Sequence, residues 1–529
     1  MNGFTGTGLL LRLALRRDRV LLPVWTYAIA GSVGSTAFSF RALYPTEESR
    51  QAFGAGIAGN ASLRALYGPV LDAGSTGGLT AWRMGVLGAV LAGLMSHLLV
   101  VRHTRAEEED GRLELIGAGA VGRRAPLTAA LLTAATADLA VAALVTALLV
   151  AAGQGVAGAA ALGLAVGACG LVFAGTAAVT AQLAETGRAA NGLAGAALGT
   201  AYALRAIGDA GPSRMTWLSP VGWSEQVRPF AGERWTVLLL PLATAALLAG
   251  AGYALAARRD LGAGLLPRRP GPPGAAPSLA TAAALARRLH GGTLLAWSAG
   301  FAAAGATFGG VSRGVVDLVR DNAAIADLLA RTGGTRGVLD AYLGSIGALF
   351  GMVAAVYAVQ AVLRLRAEET SGRAEPVLAG AVSRLRWAAG HLLFPLLGSA
   401  LLLALAGLTT GLAAGAATGD PRGTAGRLLG AALVQLPAVW LTAAAALAVV
   451  GLLPRFSTAG WGLLGLFLLI GWLGPALRLA RPVLDLSPFT HVPHLPGGPF
   501  TSGPLLGLTT VAAALAAAGL AGLHRRDLG

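Results

Sequence analysis

The sequence predicts an all-α polytopic membrane protein of about twelve transmembrane helices, arranged as two parallel six-helix repeats. Three observations predict it. Of 529 residues, 55% are hydrophobic and only 12% charged, with a mean hydropathy of +0.66, whereas soluble globular proteins carry roughly 25% charged residues. Apolar runs recur along the whole length, each near the ~20 helical residues needed to cross a hydrocarbon core. A charged segment that follows the second run returns almost verbatim after the eighth.

The first six spans are expected at Val20 to Phe40, Met84 to Val101, Leu127 to Ala151, Ala157 to Gln182, Ala190 to Ile207 and Trp235 to Ala257. Six more are expected at Gly291 to Val311, Gly344 to Leu363, Ala389 to Leu412, Leu428 to Gly451, Gly460 to Leu477 and Gly503 to Leu523. The fifth is the least apolar, because it holds Asn191 and Arg205. Between the sets, Pro267, Pro270, Pro272, Pro273 and Pro277 suggest an extended linker. The domains are therefore expected as a first half over 1–261, a Pro-rich linker over 262–280 and a second half over 281–529. Glycine pairs four apart, Gly163/Gly167, Gly195/Gly199 and Gly305/Gly309, allow close helix approach in lipid.

The net charge of +15 would suggest nucleic acid in a soluble protein. Here the arginines gather in alternating loops, as the positive-inside rule expects, which places both termini in the cytoplasm. No basic stretch is interleaved with aromatics as a strand-binding groove requires, so nucleic acid is not an expected partner. Ahead of the first span, Arg12, Arg16 and Arg19 share one helical face, which suggests an interfacial amphipathic helix rather than a cleavable signal. The single cysteine, Cys169, lies in an apolar run and offers neither a disulfide nor a metal cluster.

The repeat is the most informative feature. Arg105 to Arg123 reads RAEEEDGRLELIGAGAVGR and Arg366 to Arg384 reads RAEETSGRAEPVLAGAVSR, identical at 12 of 19 positions. Weaker echoes follow in the same order: Leu13 to Trp25 with Leu285 to Trp297, LSP at Leu218 and Leu486, and RRDLG at Arg258 and Arg525. Their common order indicates duplication of a whole unit. If both charged loops face one side, an even number of spans separates them, which makes the halves parallel repeats. A loop whose acids balance its own arginines is the ordinary explanation for such a segment. Near-verbatim reuse favours a docking element, with Glu107, Glu108, Gly111, Arg112 and Glu114, and Glu368, Glu369, Gly372, Arg373 and Glu375, as its candidate residues and with carboxylates turned toward a basic partner.

These motifs resemble the permease subunits of ABC exporters of the six-helix half type, and most closely the fused, double-length permeases of the polyketide antibiotic exporter type. The resemblance covers essentially the whole chain. It rests on the EE-then-GRxE loop of each half and on Ser219/Pro220 and Ser487/Pro488 between the fifth and sixth spans. It implies that each charged loop is a coupling helix docking on an ABC ATPase subunit, two copies in all, and that the cargo is a hydrophobic or amphiphilic small molecule. Pro376 stands where the first copy has Leu115, so the second helix should be shortened or bent and the two docking sites unequal.

Absences bear on energetics. A phosphate-binding loop needs a lysine after its glycines, and the chain contains no lysine. Any ATP hydrolysis is therefore expected in a separate subunit, with no cofactor and no metal held here. A proton gradient is the rival energy source, and it would call for ionisable residues within the spans. Asp138 is the one acid well inside an expected span, with Gln360, His391 and Gln435 as further polar candidates. A membrane scaffold or sensor is the third reading. The expected location is the bacterial inner membrane.

Overall fold

The structure, a computed structural model, describes residues 2–59, 61–211, 214–266, 274, 276, 279, 281–320, 334–474 and 479–526. All regular elements among them are helices. The chain forms two compact units, residues 1–271 and 272–529. The prolines of the expected linker lie outside the described residues.

The first unit opens with α1 (Thr7–Arg17), which meets α2 (Leu21–Leu43) at a bend of 69°. Asp18 makes the corner and is fully buried. Its carboxylate accepts from His103 Nε2 at 2.6 Å and Arg102 Nε at 3.1 Å, which ties the amphipathic helix to the end of the second span. Short helices α3 (Glu47–Ala58) and α4 (Ala61–Tyr67) precede α5 (Thr76–His103). The charged loop forms α6 (Arg105–Glu109) and α7 (Arg112–Gly117). Then come α8 (Ala125–Ala151), α9 (Val156–Leu183), α10 (Gly187–Ala210), α11 (Pro220–Gln226) and α12 (Leu239–Ala256).

Small residues let α8 and α9 touch. A Cβ added to Gly163 would lie 2.4 Å from the Ala142 carbonyl, and one on Gly167 would lie 2.8 Å from that of Asp138. Only the absence of side chains there permits this approach. Gly195 and Gly199, by contrast, face open space. Cys169 is buried.

The second unit contains α13 (Ala282–Arg320), α14 (Gly334–Thr370), the short α15 (Glu375–Leu378) and α16 (Arg384–Leu393). One π-turn at Phe394–Gly398 leads into α17 (Ser399–Thr418); Pro395 within it has no N–H to give the α-ladder. Next are α18 (Pro421–Leu433), α19 (Leu436–Leu452), α20 (Ala459–Leu473), α21 (Arg481–Leu484) and α22 (Ser502–Arg525). Gly305 and Gly309 on α13 abut α17, where an added Cβ would come within 2.1 Å of Thr409 Oγ1 and 2.4 Å of the Thr410 carbonyl.

The chain is a polytopic membrane protein. Among the described residues nine helices are long and apolar enough to cross a membrane, or ten if the bent α1–α2 pair counts as one span. The other two expected spans are helical but fall short. The eleventh, α20, is a 15-residue helix, and residues 475–477 of that expected span lie outside the described residues. The fifth, α10, has 24 residues, about 36 Å of rise, but carries charge near its end. Arg205 there is fully buried and donates to Asp209 Oδ2 and Glu225 Oε1, each at 3.3 Å, and to the Ala65 and Leu66 carbonyls at 2.7 and 3.2 Å. Each unit also ties its Ser-Pro loop to its fifth helix. Ser219 Oγ donates to the Ala201 carbonyl at 2.6 Å, and Ser487 Oγ to that of Phe467 at 2.8 Å.

Candidate functional site: the two charged loops

The central glycines of the repeat have a backbone reason. Gly111 and Gly372 have φ of +71° and +70°, the left-handed region in which a Cβ is strained, and each reverses the chain between the end of the second helix and the short helix beyond. In the first unit that reversal separates α6 from α7. In the second, Pro376 sits in the first turn of α15, where a missing N–H is tolerated. There the short helix begins at Glu375, whereas α7 begins at Arg112, the counterpart of Arg373. The proline shortens the helix as expected, to four residues against six.

The acidic pair of each loop is turned inward, which corrects the expectation that these carboxylates face a partner. Glu107 accepts from Arg112 Nε at 2.7 Å and also from Arg17 of α1. Glu108 accepts from Arg105 and is gripped from the sixth span by Arg259, with Nη2 to Oε1 at 2.6 Å and Nη1 to Oε2 at 2.8 Å. In the second unit Glu368 accepts from Arg373 Nε at 2.9 Å and pairs with Arg364 at 3.3 Å. Glu369 accepts from Arg366 at 3.0 Å and from Arg526 Nη2 at 2.6 and 2.8 Å. The physical cause is position: these residues lie at the end of a long apolar helix or in the short helix that directly follows it, where burial without a cation would be costly.

The return arm is repeated as well. Arg123 Nη2 donates to the Arg259 carbonyl at 2.8 Å, and Arg384 donates to that of Arg526. Each unit therefore contains one clamp in which the glutamate holds the arginine side chain and the third-span arginine holds its main chain. The RRDLG echoes supply the central arginines, Arg259 and Arg526. The sequence marked them as repeated, but their spatial partners lie more than 130 residues away, beyond the reach of any local pattern.

Outward-facing groups lie at the loop tips. Glu114 is exposed, Leu115 is 79% exposed, and Arg112 is half-exposed with its guanidinium held above its usual pKa by the hydrogen bond to Glu107. In the second loop Arg373, Glu375 and Pro376 are exposed. Beneath each tip one apolar residue at the matching position is buried, Leu113 in the first and Ala374 in the second.

The polar residues expected within the spans do not converge on one site. Asp138 is buried in α8, where Ser96 Oγ of α5 lies 2.8 Å from both of its oxygens. It borders a small pocket of about 100 Å³ with Leu164 and Leu242. Gln360 is exposed and accepts from Trp297 Nε1 at 3.0 Å. His391 is buried with its Nδ1 3.1 Å from His290 Nε2. Gln435 is buried at the break between α18 and α19, against Gly351. His290 had no sequence signal beyond its position, which matches Asp18 in the aligned echo.

A relative of nearly the same length settles the family. The Multidrug efflux system permease protein Rv1217c of Mycobacterium tuberculosis is 46% identical over 528 residues, covering 100% of this chain and 96% of that protein. This chain belongs to that efflux-permease family. A family profile described as Multidrug efflux system permease Rv1217c, C-terminal domain, also matches the permease over residues 279–524, the span from α13 to α22 that carries the second charged loop. The permease is thus a membrane transport component whose two loops, at the ends of α6 and α14, are built from the same parts.

Proposed function

We propose that this permease is the transmembrane subunit of an ATP-driven exporter of hydrophobic or amphiphilic compounds, of the antibiotic-exporting type, energised by a separate ABC ATPase, and that two ATPase copies dock on the tips of its charged loops. The observation that carries this reading is the duplicated clamp. A partner pushing on Leu115 or on Glu375 would push a segment locked by Glu108–Arg259 or Glu369–Arg526 to the second and sixth spans of the same unit. Force at the tip would then reach two spans at once, as coupling requires. The missing lysine supports a separate engine, and the relative's printed role in multidrug efflux supports hydrophobic cargo.

In this reading the halves, 1–261 and 281–529 about the linker 262–280, are parallel repeats in the bacterial inner membrane, with both termini and both loops in the cytoplasm. Co-purification with the ATPase encoded beside the gene is the test. Glu114→Arg/Leu115→Asp, together with Glu375→Arg, should abolish co-purification and transport while the chain still folds. Normal transport by that variant would sink the docking assignment.

A gradient-driven exporter is the second reading, favoured by one observation: an acid, Asp138, buried within a span. Transport that stops when the proton gradient collapses, and that is lost in Asp138→Asn without any ATPase being needed, would establish it instead.

A further inference from the structure

The first unit contains a cavity of about 530 Å³ at its arginine-rich end. It lies between the start of α8, the end of α12, α7 and the N-terminal segment ahead of α1. Both α8 and α12 belong to membrane spans, so their ends sit where hydrocarbon gives way to lipid headgroups. The N-terminal segment is fixed there by the chain itself: Arg124 N donates to the Gly3 carbonyl and Gly122 N to that of Thr5, each at 2.9 Å.

The lining has two chemistries. One wall is apolar, with Leu113, Ile116, Leu127 and the ring of Tyr253. The rim is cationic, with Arg123 and Arg124 side by side. Arg124 is exposed, lies 5.7 Å from the Phe4 ring and has no carboxylate partner among the described residues. Among the described residues Arg123 donates to two main-chain carbonyls, those of Ala256 and Arg259. Two carboxylates also line the cavity. Glu108 is neutralised by Arg105 and Arg259, and Asp260 is exposed at the mouth. The lining itself sets three arginines against two carboxylates, an excess of one cation, and Arg105 behind Glu108 adds a second.

We propose that this cavity binds an anionic phospholipid, with the phosphate on Arg123 and Arg124 and the upper acyl chain along Leu113, Ile116 and Leu127. A soluble anion would use the arginines and leave the apolar wall wet. A zwitterionic lipid would use the wall and bring no net charge to the arginines. Basic pockets between spans recognise anionic headgroups by this combination. The adjacent arginine pair belongs to the first unit, because Leu385 stands at the position matching Arg124. Arg259 and Glu108 line the same cavity, so the bound lipid would rest against the clamp and stiffen the first loop relative to the second.

Lipid titration of the full-length chain in detergent, read by native mass spectrometry, tests this with phosphatidylglycerol, phosphatidylcholine and inorganic phosphate as probes. Phosphatidylglycerol should bind well above phosphatidylcholine. Removing one arginine near a headgroup should weaken binding about fivefold, and removing two about 25-fold, so Arg124→Gln and Arg123→Gln/Arg124→Gln should show those losses. Arg455→Gln, an exposed arginine of the second unit, should bind as the parent does. Melting curves without lipid confirm that the variants fold, and the exposed Arg124→Gln alone suffices if the double variant does not. Equal binding of the two lipids, unchanged binding by Arg124→Gln, or full displacement of phosphatidylglycerol by equimolar phosphate would each overturn the proposal.

Discussion

Glu108 and Arg259, side chains only 7% exposed and 151 residues apart, form an ion pair at 2.6 Å; Glu369 and Arg526 repeat it at 2.6 Å, 157 residues apart. The acidic motif and the RRDLG motif of each half are two ends of one contact. The carboxylate also holds an arginine three residues earlier in its own helix, Arg105 or Arg366, so each glutamate is shared between two cations.

Breaking one end should be far costlier than losing a surface pair. Glu108→Gln would leave Arg259 buried without its counter-ion, a change worth about 3–5 kcal/mol in buried settings, and should lower the melting temperature markedly. Arg259→Ala should do the same. A charge-swapped Glu108→Arg/Arg259→Glu chain should recover part of the loss in a thermal-shift measurement. If the single variants melt like the parent, the clamp has no structural weight.

Tip residues should behave in the opposite way. Glu114 and Leu115 are exposed, so Glu114→Arg and Leu115→Asp should change stability by no more than about 0.5 kcal/mol. The reading of docking given above requires that they nonetheless reduce ATPase capture. Unequal sensitivity of the two loops is expected as well, because α15 is shorter than α7; it can be measured by mutating each tip separately.

At the α8–α9 contact, a Cβ on Gly170 would lie 2.1 Å from Asp138 Oδ1. Gly170→Ala should force the helices apart at a cost of about 1–3 kcal/mol, visible as a lower melting temperature. Gly195→Ala, where nothing lies within 4 Å, should not destabilise the protein and serves as the matched control.

Glu225 provides a pH dependence with a definite sign. Burial pushes its carboxyl well above the ordinary carboxylate range, and although the Arg205 charge pulls it back, Asp209 beside it raises it further. Because the folded value exceeds the unfolded one, folding favours the protonated form. Stability from this group is present at acid pH and declines as pH rises from the ordinary carboxylate range through the raised folded value. Glu225→Gln, which imitates the protonated carboxyl, should flatten that decline and melt higher than the parent at pH 8 but not at pH 5. A parent melting curve that rises steadily over this interval, with no difference from the variant, would contradict this.

Much of the molecule was legible before any coordinates. Apolar runs placed the expected spans on helices wherever those spans fall on described residues, because crossing lipid demands long runs whose backbone bonds are satisfied internally. Duplication located the loops, Pro376 announced the shorter second helix, and Arg12 and Arg16 lie on the helix expected ahead of the first span, with Arg19 just past its end. Two spans did not meet both conditions for crossing: α20 is apolar but short, and α10 is long but not apolar enough. In α10 the reason is Arg205, whose partners on α4 and α11 cannot be read from its neighbours in sequence.

The charged loops divide the same way. That Glu107, Glu108, Glu368 and Glu369 matter as a repeated set follows from the letters alone, because copying preserves order and spacing. Which way they face does not, because a carboxylate at a helix end can serve water, a partner or a distant arginine equally well. Only the fold brings Arg259 and Arg526 back to them from beyond the last span of each half, and a buried charge takes the nearest counter-ion available. The helical, duplicated membrane plan was determined by the sequence itself; the inward-facing acids, the clamp and the exposed tips at Leu115 and Glu375 were decided by tertiary packing.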